Sequence, residues 1–289
     1  MLHARMIVPA DYNFLSALLH SHSGLNLGAG KEYLLESRLP PVAHAHGFAS
    51  LDEMILSLRV RPHQQLVKAV CDAMLTGETM FFRDTAPFEM MRERIFPELV
   101  ARCRERGTPM RIWSAAAASG QEAYSLAMLI TEMESTFAEV PVEILATDFA
   151  AAPLNRARRG VYSQIEVQRG LPVQLLLKYF TRVEDGYRIS DEVRRCIKFR
   201  EFNLLDSYAG LGKFDLVLCR NVLIYFDAAL KKSVMERMAD VLYPGGYFFL
   251  GGTETSFGVT DKIVRLPDAP TSVHMRREDY APTRTPVLT

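Results

Sequence analysis

The chain is poor in cysteine, with four in 289 residues, at Cys71, Cys103, Cys196 and Cys219. None is spaced as Cys-x-x-Cys, which excludes a disulfide framework and the usual zinc motifs. An excess of one charge is lacking too, because 34 Lys and Arg balance 34 Asp and Glu. No global field draws the protein to nucleic acid or a membrane surface, and neither partner is expected. No apolar run approaches membrane-spanning length, so the expected location is cytoplasmic, in a reducing environment. Six of the seven histidines fall between His3 and His63 without regular ligand spacing. They are read as solvent-facing or capping residues, and no metal is expected.

What is present suffices for one substantial core and a smaller second domain, since 48% of the residues are hydrophobic. From Asp11 to about Leu75 the apolar residues recur at helical spacing, as in Phe14, Leu15, Leu18 and Leu19 or Leu51, Met54, Ile55 and Leu58. Ser50 with Glu53 three residues on predicts a capping box, and Pro62 predicts the first turn of the next helix. Gly24, Gly28, Gly30 and the Pro40-Pro41 pair are expected to break the earlier helices into short pieces.

The pattern changes after Gly107-Thr108-Pro109. Met110 to Ala115 reads as a strand, and small residues with Gly120 lead into a long apolar-faced helix. Val142 to Asp148 and Phe214 to Asn221 read as further strands. Ala229 to Leu242 reads as a helix ended by Pro244-Gly245-Gly246, before a strand from Tyr247 to Gly252. This alternation predicts an open, mainly parallel sheet covered on both faces, with ligands at the carboxyl ends of its strands. Between Gly160 and Asn203 a more charged stretch interrupts it, with a helix near Leu171 to Tyr179. Short strands are expected at Gly186–Ile189 and Ile197–Phe199, giving a compact insert. After Met275 proline, threonine and missing periodicity suggest a loose terminus.

Three constellations can carry chemistry. Ser119-Gly120-Gln121-Glu122 joins the first large-domain strand to its helix, where a glycine lets backbone approach a cofactor and helix amides can receive a carboxylate. Asp148, at the end of the next strand, suits a ribose diol. No G-x-G-x-x-G fingerprint accompanies them, so a cofactor without phosphates is preferred over a dinucleotide. Thr79-Met80-Phe81-Phe82-Arg83-Asp84 lies at the domain junction, where Phe81 and Phe82 anchor and Arg83 turns a guanidinium into the cleft or joins an ordinary salt bridge. Asn221 lies near the third strand's end, and Tyr225 in the next turn can line a channel. Cys219, in the apolar run FDLVLC, is read as buried and inert.

In this order TMFFRD, AAAASGQEAYSLAM, ILATDF, LVLCRNVLIYFD and YPGGYFFLGGTE closely resemble the chemotaxis receptor glutamate methyltransferases, over nearly the full chain. The resemblance implies an α/β fold: a Rossmann-like S-adenosylmethionine-dependent methyltransferase domain over residues 76–289, an N-terminal all-helical receptor-recognition domain over 1–75, and a small inserted β-subdomain at 160–203. It implies cofactor contact at Thr79, Arg83, Gly120, Glu122, Asp148, Asn203 and Asn221, with Arg83 and Tyr225 beside the methyl group and the incoming substrate. Gly77 stands where related proteins often have asparagine, Gln121 where another acid is common, and Ala118 where a small polar residue is usual.

The substrate implied is the cytoplasmic helical bundle of methyl-accepting chemoreceptors, with recruitment to receptor arrays. Arg38, Arg59, Arg61 and Lys68 are candidates for a local positive docking face, against the ordinary alternative of solvated charge. Some relatives grip a peptide tether at a receptor's C-terminus through the β-subdomain. The turn RVEDGYRI is too compact to promise that contact, and tether independence is expected. A small-molecule methyltransferase with the same cofactor domain and a non-catalytic signalling adaptor are the competing readings.

Overall fold

The computed structural model describes residues 7–267, 269 and 272–281. Four helices come first: α1 (Pro9–Ser23), α2 (Glu32–Ala45), α3 (Leu51–Val60) and α4 (Gln64–Met74). Leu15, Leu19, Leu35, Leu39, Met54 and Val70 close a core between them, each less than 1% exposed. Ser50 Oγ accepts from Glu53 N at 3.2 Å, and the Glu53 carboxylate accepts from Ala49 N at 2.7 Å, one residue ahead of a regular capping box.

Two helix-boundary expectations are corrected. Pro40 and Pro41 lie inside α2, which continues to Ala45 because Leu35, Leu39 and Ala43 all face the core. Burial of that stripe outweighs two missing backbone donors. Pro62 precedes the N-cap residue His63 of α4 and is outside its first turn.

Among the described residues the large domain holds ten strands: β1 (Met110–Ala115), β2 (Val142–Asp148), β3 (Val161–Tyr162), β4 (Phe180–Val183), β5 (Gly186–Ile189), β6 (Ile197–Glu201), β7 (Phe214–Cys219), β8 (Leu242–Leu250), β9 (Ile263–Arg265) and β10 (Val273–Arg276). Seven form one sheet in the order β6-β2-β1-β7-β8-β10-β9. The pairs from β6 to β8 are parallel, and the β8–β10 and β10–β9 pairs are antiparallel. Every residue of β7 is buried, as expected of a central parallel strand covered on both faces. Trp113 of β1 is fully buried, and its indole N–H donates to Thr147 Oγ1 of β2 at 2.9 Å.

The insert is a separate antiparallel sheet, β3-β5-β4. Residues 197–199, expected in it, belong instead to β6, which pairs with β2 as the edge of the large sheet. The last helix ends at Asp240, not Leu242, and Pro244-Gly245-Gly246 falls within β8. Phe214 pairs with Leu242 but Leu216 already pairs with Tyr247, so these three residues bulge out of the ladder. At the C-terminus Arg276 pairs with Asp279 at 2.7 Å, while positions 282–289 of the expected loose tail lie outside the described residues.

Candidate active site

At the carboxyl ends of β1, β2 and β7 lies a cavity of about 340 Å³, closed on one side by the helical domain. Its size suits a small organic cofactor, for which about 300–1,000 Å³ is usual. Thr79, Arg83, Glu122, Asp148, Asn203, Asn221 and Tyr225 all line it, from five separate stretches of chain. Gly120 does not. Its φ of +90° caps the helix Gln121–Glu132, and a Cβ there would meet Ala157 Cβ at 2.8 Å and the Phe199 ring at 3.3 Å. The backbone conformation and the helix packing therefore require glycine there.

Asp148 ends β2 with its carboxylate held by two amides, Ala118 N at 2.8 Å and Ala150 N at 2.9 Å. Burial pushes its pKa up, and those two amides oppose the rise. Ala116 and Ala118, at the β1 crossing, hold φ of +56° and +49°. Non-glycine residues there store strain of about 1–3 kcal/mol each, of the kind found at ligand sites.

Glu122, in the first turn of its helix, accepts from Ser114 Oγ at 2.9 Å and from Arg220 Nη1 at 3.1 Å. Arg220 also reaches Asp84 Oδ2 at 2.6 Å and the Arg83 carbonyl at 3.1 Å. The sequence reading passed over this arginine. Its signal was a charge ending an apolar strand directly before Asn221. Glu254, also missed, accepts from the amides of Asn221, Val222 and Ile224 at 2.8, 3.1 and 3.2 Å and so fixes the turn that carries Tyr225.

Arg83 has a different environment. Among the described residues no acid pairs with it, and its guanidinium makes one long contact, 3.5 Å, to the Glu78 carbonyl. The salt bridge considered for it goes to its neighbours instead. Phe81 and Phe82 anchor this segment within the large domain, Phe81 edge-on to Tyr162 at 5.1 Å and Phe180 at 5.6 Å.

Asn203 and Tyr225 tie the domains together. Asn203 Nδ2 donates to the His22 carbonyl at 2.7 Å, and the Tyr225 carbonyl accepts from Asn26 N at 2.9 Å. His20 of α1 meets Asp227 at 2.6 Å, and the neighbouring His22 turns its ring to the Leu18 carbonyl at 2.9 Å. Cys71, Cys103 and Cys219 are buried, and burial pushes the first two thiols up to about 11.

The four candidate docking cations do not form one free face. Arg38 donates to the Met74 carbonyl at 2.9 Å, and Arg59 pairs with Asp11 at 2.9 Å while lying over the Phe14 ring. Lys68 faces the domain junction, bonding the Phe149 carbonyl at 3.0 Å and pairing with Asp72 at 3.3 Å. Arg61 caps the end of α3 and is exposed.

The residues present fit a cofactor that combines a ribose, an amino-acid group and a sulfonium. Asp148 is placed at a strand end for a diol, Glu122 for an ammonium, and Asn221 Oδ1 is buried with no hydrogen-bond partner among the described residues. A mainly parallel sheet with an acid at the end of β2, a cavity without a dinucleotide fingerprint, and a glutamate on the helix that follows β1 mark the class of S-adenosylmethionine-dependent methyltransferases.

The particular family follows from sequence. Residues 77–269 match "CheR methyltransferase, SAM binding domain" and residues 10–75 match "CheR methyltransferase, all-alpha domain". The chain is 42% identical over 256 residues to a chemotaxis protein methyltransferase of Vibrio parahaemolyticus, covering 88% of this chain and 92% of that protein. It is 39% identical over 271 residues to chemotaxis protein methyltransferase Cher2 of Pseudomonas putida, covering 92% and 98%. To chemotaxis protein methyltransferase 1 of Pseudomonas aeruginosa it is 41% identical over 265 residues, covering 90% and 96%. The chain belongs to the CheR methyltransferase family and is a protein-glutamate O-methyltransferase that uses S-adenosylmethionine.

Proposed function

We propose that Arg83 orients the acceptor carboxylate, a glutamate on the cytoplasmic helices of a methyl-accepting chemoreceptor, and Tyr225 shapes the methyl-transfer channel, while Thr79, Glu122, Asp148, Asn203 and Asn221 hold the cofactor. The observation that carries this division is the contrast between two neighbouring arginines. Arg220 pairs with both Glu122 and Asp84, whereas Arg83 faces the same cavity and, among the described residues, pairs with no acid. A guanidinium left unpaired beside the cofactor is available to an incoming carboxylate.

Bound S-adenosylmethionine supplies an electrophilic methyl group on sulfur. A glutamate with a pKa of about 4.3 is already ionised at neutral pH, so the protein needs no general base and contributes chiefly alignment. Asn203 and the Tyr225 carbonyl, bonded to the helical domain, make that alignment depend on both domains. Asp72 of α4 lines the cavity as well.

Receptor docking is assigned to the end of α3, where Arg61 is exposed and Arg59 is held at its edge. The β4–β5 hairpin closes directly, with Val183 paired to Gly186, which supports engagement of receptors without a C-terminal tether. A cytoplasmic location at receptor arrays follows from the acceptor. Among the described residues no helix is long and apolar enough to cross a membrane.

The test is mass spectrometry of receptor cytoplasmic fragments after incubation with cofactor, scoring base-labile glutamate esters. Arg83→Ala is expected to cut turnover about 100-fold, as a misaligned acceptor would, while product affinity changes little. Efficient methylation of a metabolite, with no esters on any folded cognate receptor, would overturn the acceptor assignment.

A further inference from the structure

The loop leaving β8 is built against both catalytic turns. Glu254 accepts from Gly251 N at 2.7 Å as well as from the three amides of the Asn221–Ile224 turn, so four N–H groups converge on one carboxylate. On its other side Gly252, Thr253 and Thr255 share a polar cleft with Arg265 and with Asp84, Ala86 and Pro87, which follow Arg83 in the chain. The loop therefore bridges the segment that presents Tyr225 and the segment that presents Arg83.

Its continuation is pinned. Thr255 Oγ1 accepts from Phe257 N at 3.1 Å, Ser256 O accepts from Val259 N at 3.0 Å, and Thr260 Oγ1 bonds Glu236 at 3.0 Å. At its apex Phe257 is 91% exposed, the highest value for a large apolar side chain among the described residues. Ile224, adjacent to Tyr225, is 45% exposed. Residues 251–260 carry a single charge, Glu254, and it is buried. A phenyl ring held in water by an ordered, otherwise neutral loop contributes little to the core, and its favourable use is contact with an apolar partner.

We propose that Phe257, together with Ile224, receives the apolar flank of the acceptor helix while its glutamate reaches Arg83 and Tyr225. The occupant follows from continuity with the methyl-transfer site, because residues 251–255, just ahead of Phe257 in the same loop, abut both segments an acceptor side chain must reach. A glutamate on a helix has its i±3 and i±4 neighbours on the same face, so an apolar residue one turn away lands beside the glutamate's entry point. The loop itself exposes no charge, so its own contact is apolar and charge recognition is left to the arginines. The proposal rests on the receptor-glutamate assignment.

Initial rates of ester formation on a receptor cytoplasmic fragment, measured against fragment concentration, test it with Phe257→Ala and Phe257→Leu. Phe257→Ala is expected to raise KM for the fragment about five- to tenfold with kcat at saturation and affinity for S-adenosylhomocysteine within twofold, and Phe257→Leu to recover most of the loss. An unchanged KM, or a fall confined to kcat or to cofactor affinity, overturns the docking role. If the unsubstituted enzyme forms no receptor esters, the acceptor assignment itself has failed, a result separate from any effect of Phe257.

Discussion

Replacing Arg220 with methionine is expected to cost about 3–5 kcal/mol of folding stability, because it strands a buried carboxylate. The Arg220 side chain is 1% exposed and its partner Glu122 11%, whereas its other partner, Asp84, is 50% exposed. Methionine keeps much of the side-chain volume. It leaves Glu122 with Ser114 Oγ at 2.9 Å as its remaining partner, on a side chain only 11% exposed, where water from the cavity replaces the guanidinium in part. Asp84 rehydrates at little cost, so Glu122 dominates the loss. Adding Glu122→Gln removes the stranded charge, and the double variant should be more stable than the sum of the single losses predicts, by about 1–3 kcal/mol. Urea unfolding followed by circular dichroism measures all three variants, provided the slope with denaturant stays constant. A loss below about 1 kcal/mol for Arg220→Met, or strict additivity in the double variant, would refute the assignment of a buried coupled pair.

Asp148→Ala should weaken binding of S-adenosylhomocysteine by about 1–3 kcal/mol in calorimetry, and unchanged affinity would move the ribose role elsewhere. His274 is 1% exposed, neither ring nitrogen has a hydrogen-bond partner among the described residues, and burial pushes the imidazole down to about 4. The nearby backbone of Phe248 and Ser272 opposes this shift without completing a hydrogen bond. As pH falls below 6.5 the unfolded chain takes up this proton first, so stability present at neutral pH is lost towards pH 4, by about 3 kcal/mol in total. His274→Phe should flatten that dependence, and equal acid losses in both proteins, read from urea midpoints at pH 7 and pH 5, would exclude the histidine as the cause. Changing Arg59 and Arg61 together to alanine should weaken receptor association most at low salt, and a deficit independent of ionic strength would argue against electrostatic docking.

Much of the site was legible because its signals are local. β1 and β2 run from Met110 to Ala115 and from Val142 to Asp148, the limits their apolar runs predict, since interior parallel strands bury both faces. Of the polar residues where such runs stop, Asp148 ends β2, whereas the strand expected to reach Asn221 ends at Cys219 and leaves Asn221 in the following turn; both line the cavity. Edge and junction features carried no such signal. β6 mixes charge with apolar residues because it lies at the sheet edge, and Pro40-Pro41 looked like a break although the buried stripe of α2 runs past it.

Pairing was decided only by the tertiary structure. Arg220 meets Glu122 and Asp84 across 98 and 136 residues of chain, and Arg59 meets Asp11 across 48, so which arginine is spent and which is free cannot be read from spacing. The same holds for Gly120, whose need for a missing Cβ is set by Ala157 and Phe199. Periodicity and strand ends are properties of a short stretch of backbone, and the sequence by itself determined most of the elements, the family and seven of the residues that line the cavity. Burial and charge compensation depend on which distant residues share a neighbourhood, and the folded chain alone determined that Arg83 faces the cavity without an acid while Arg220 does not.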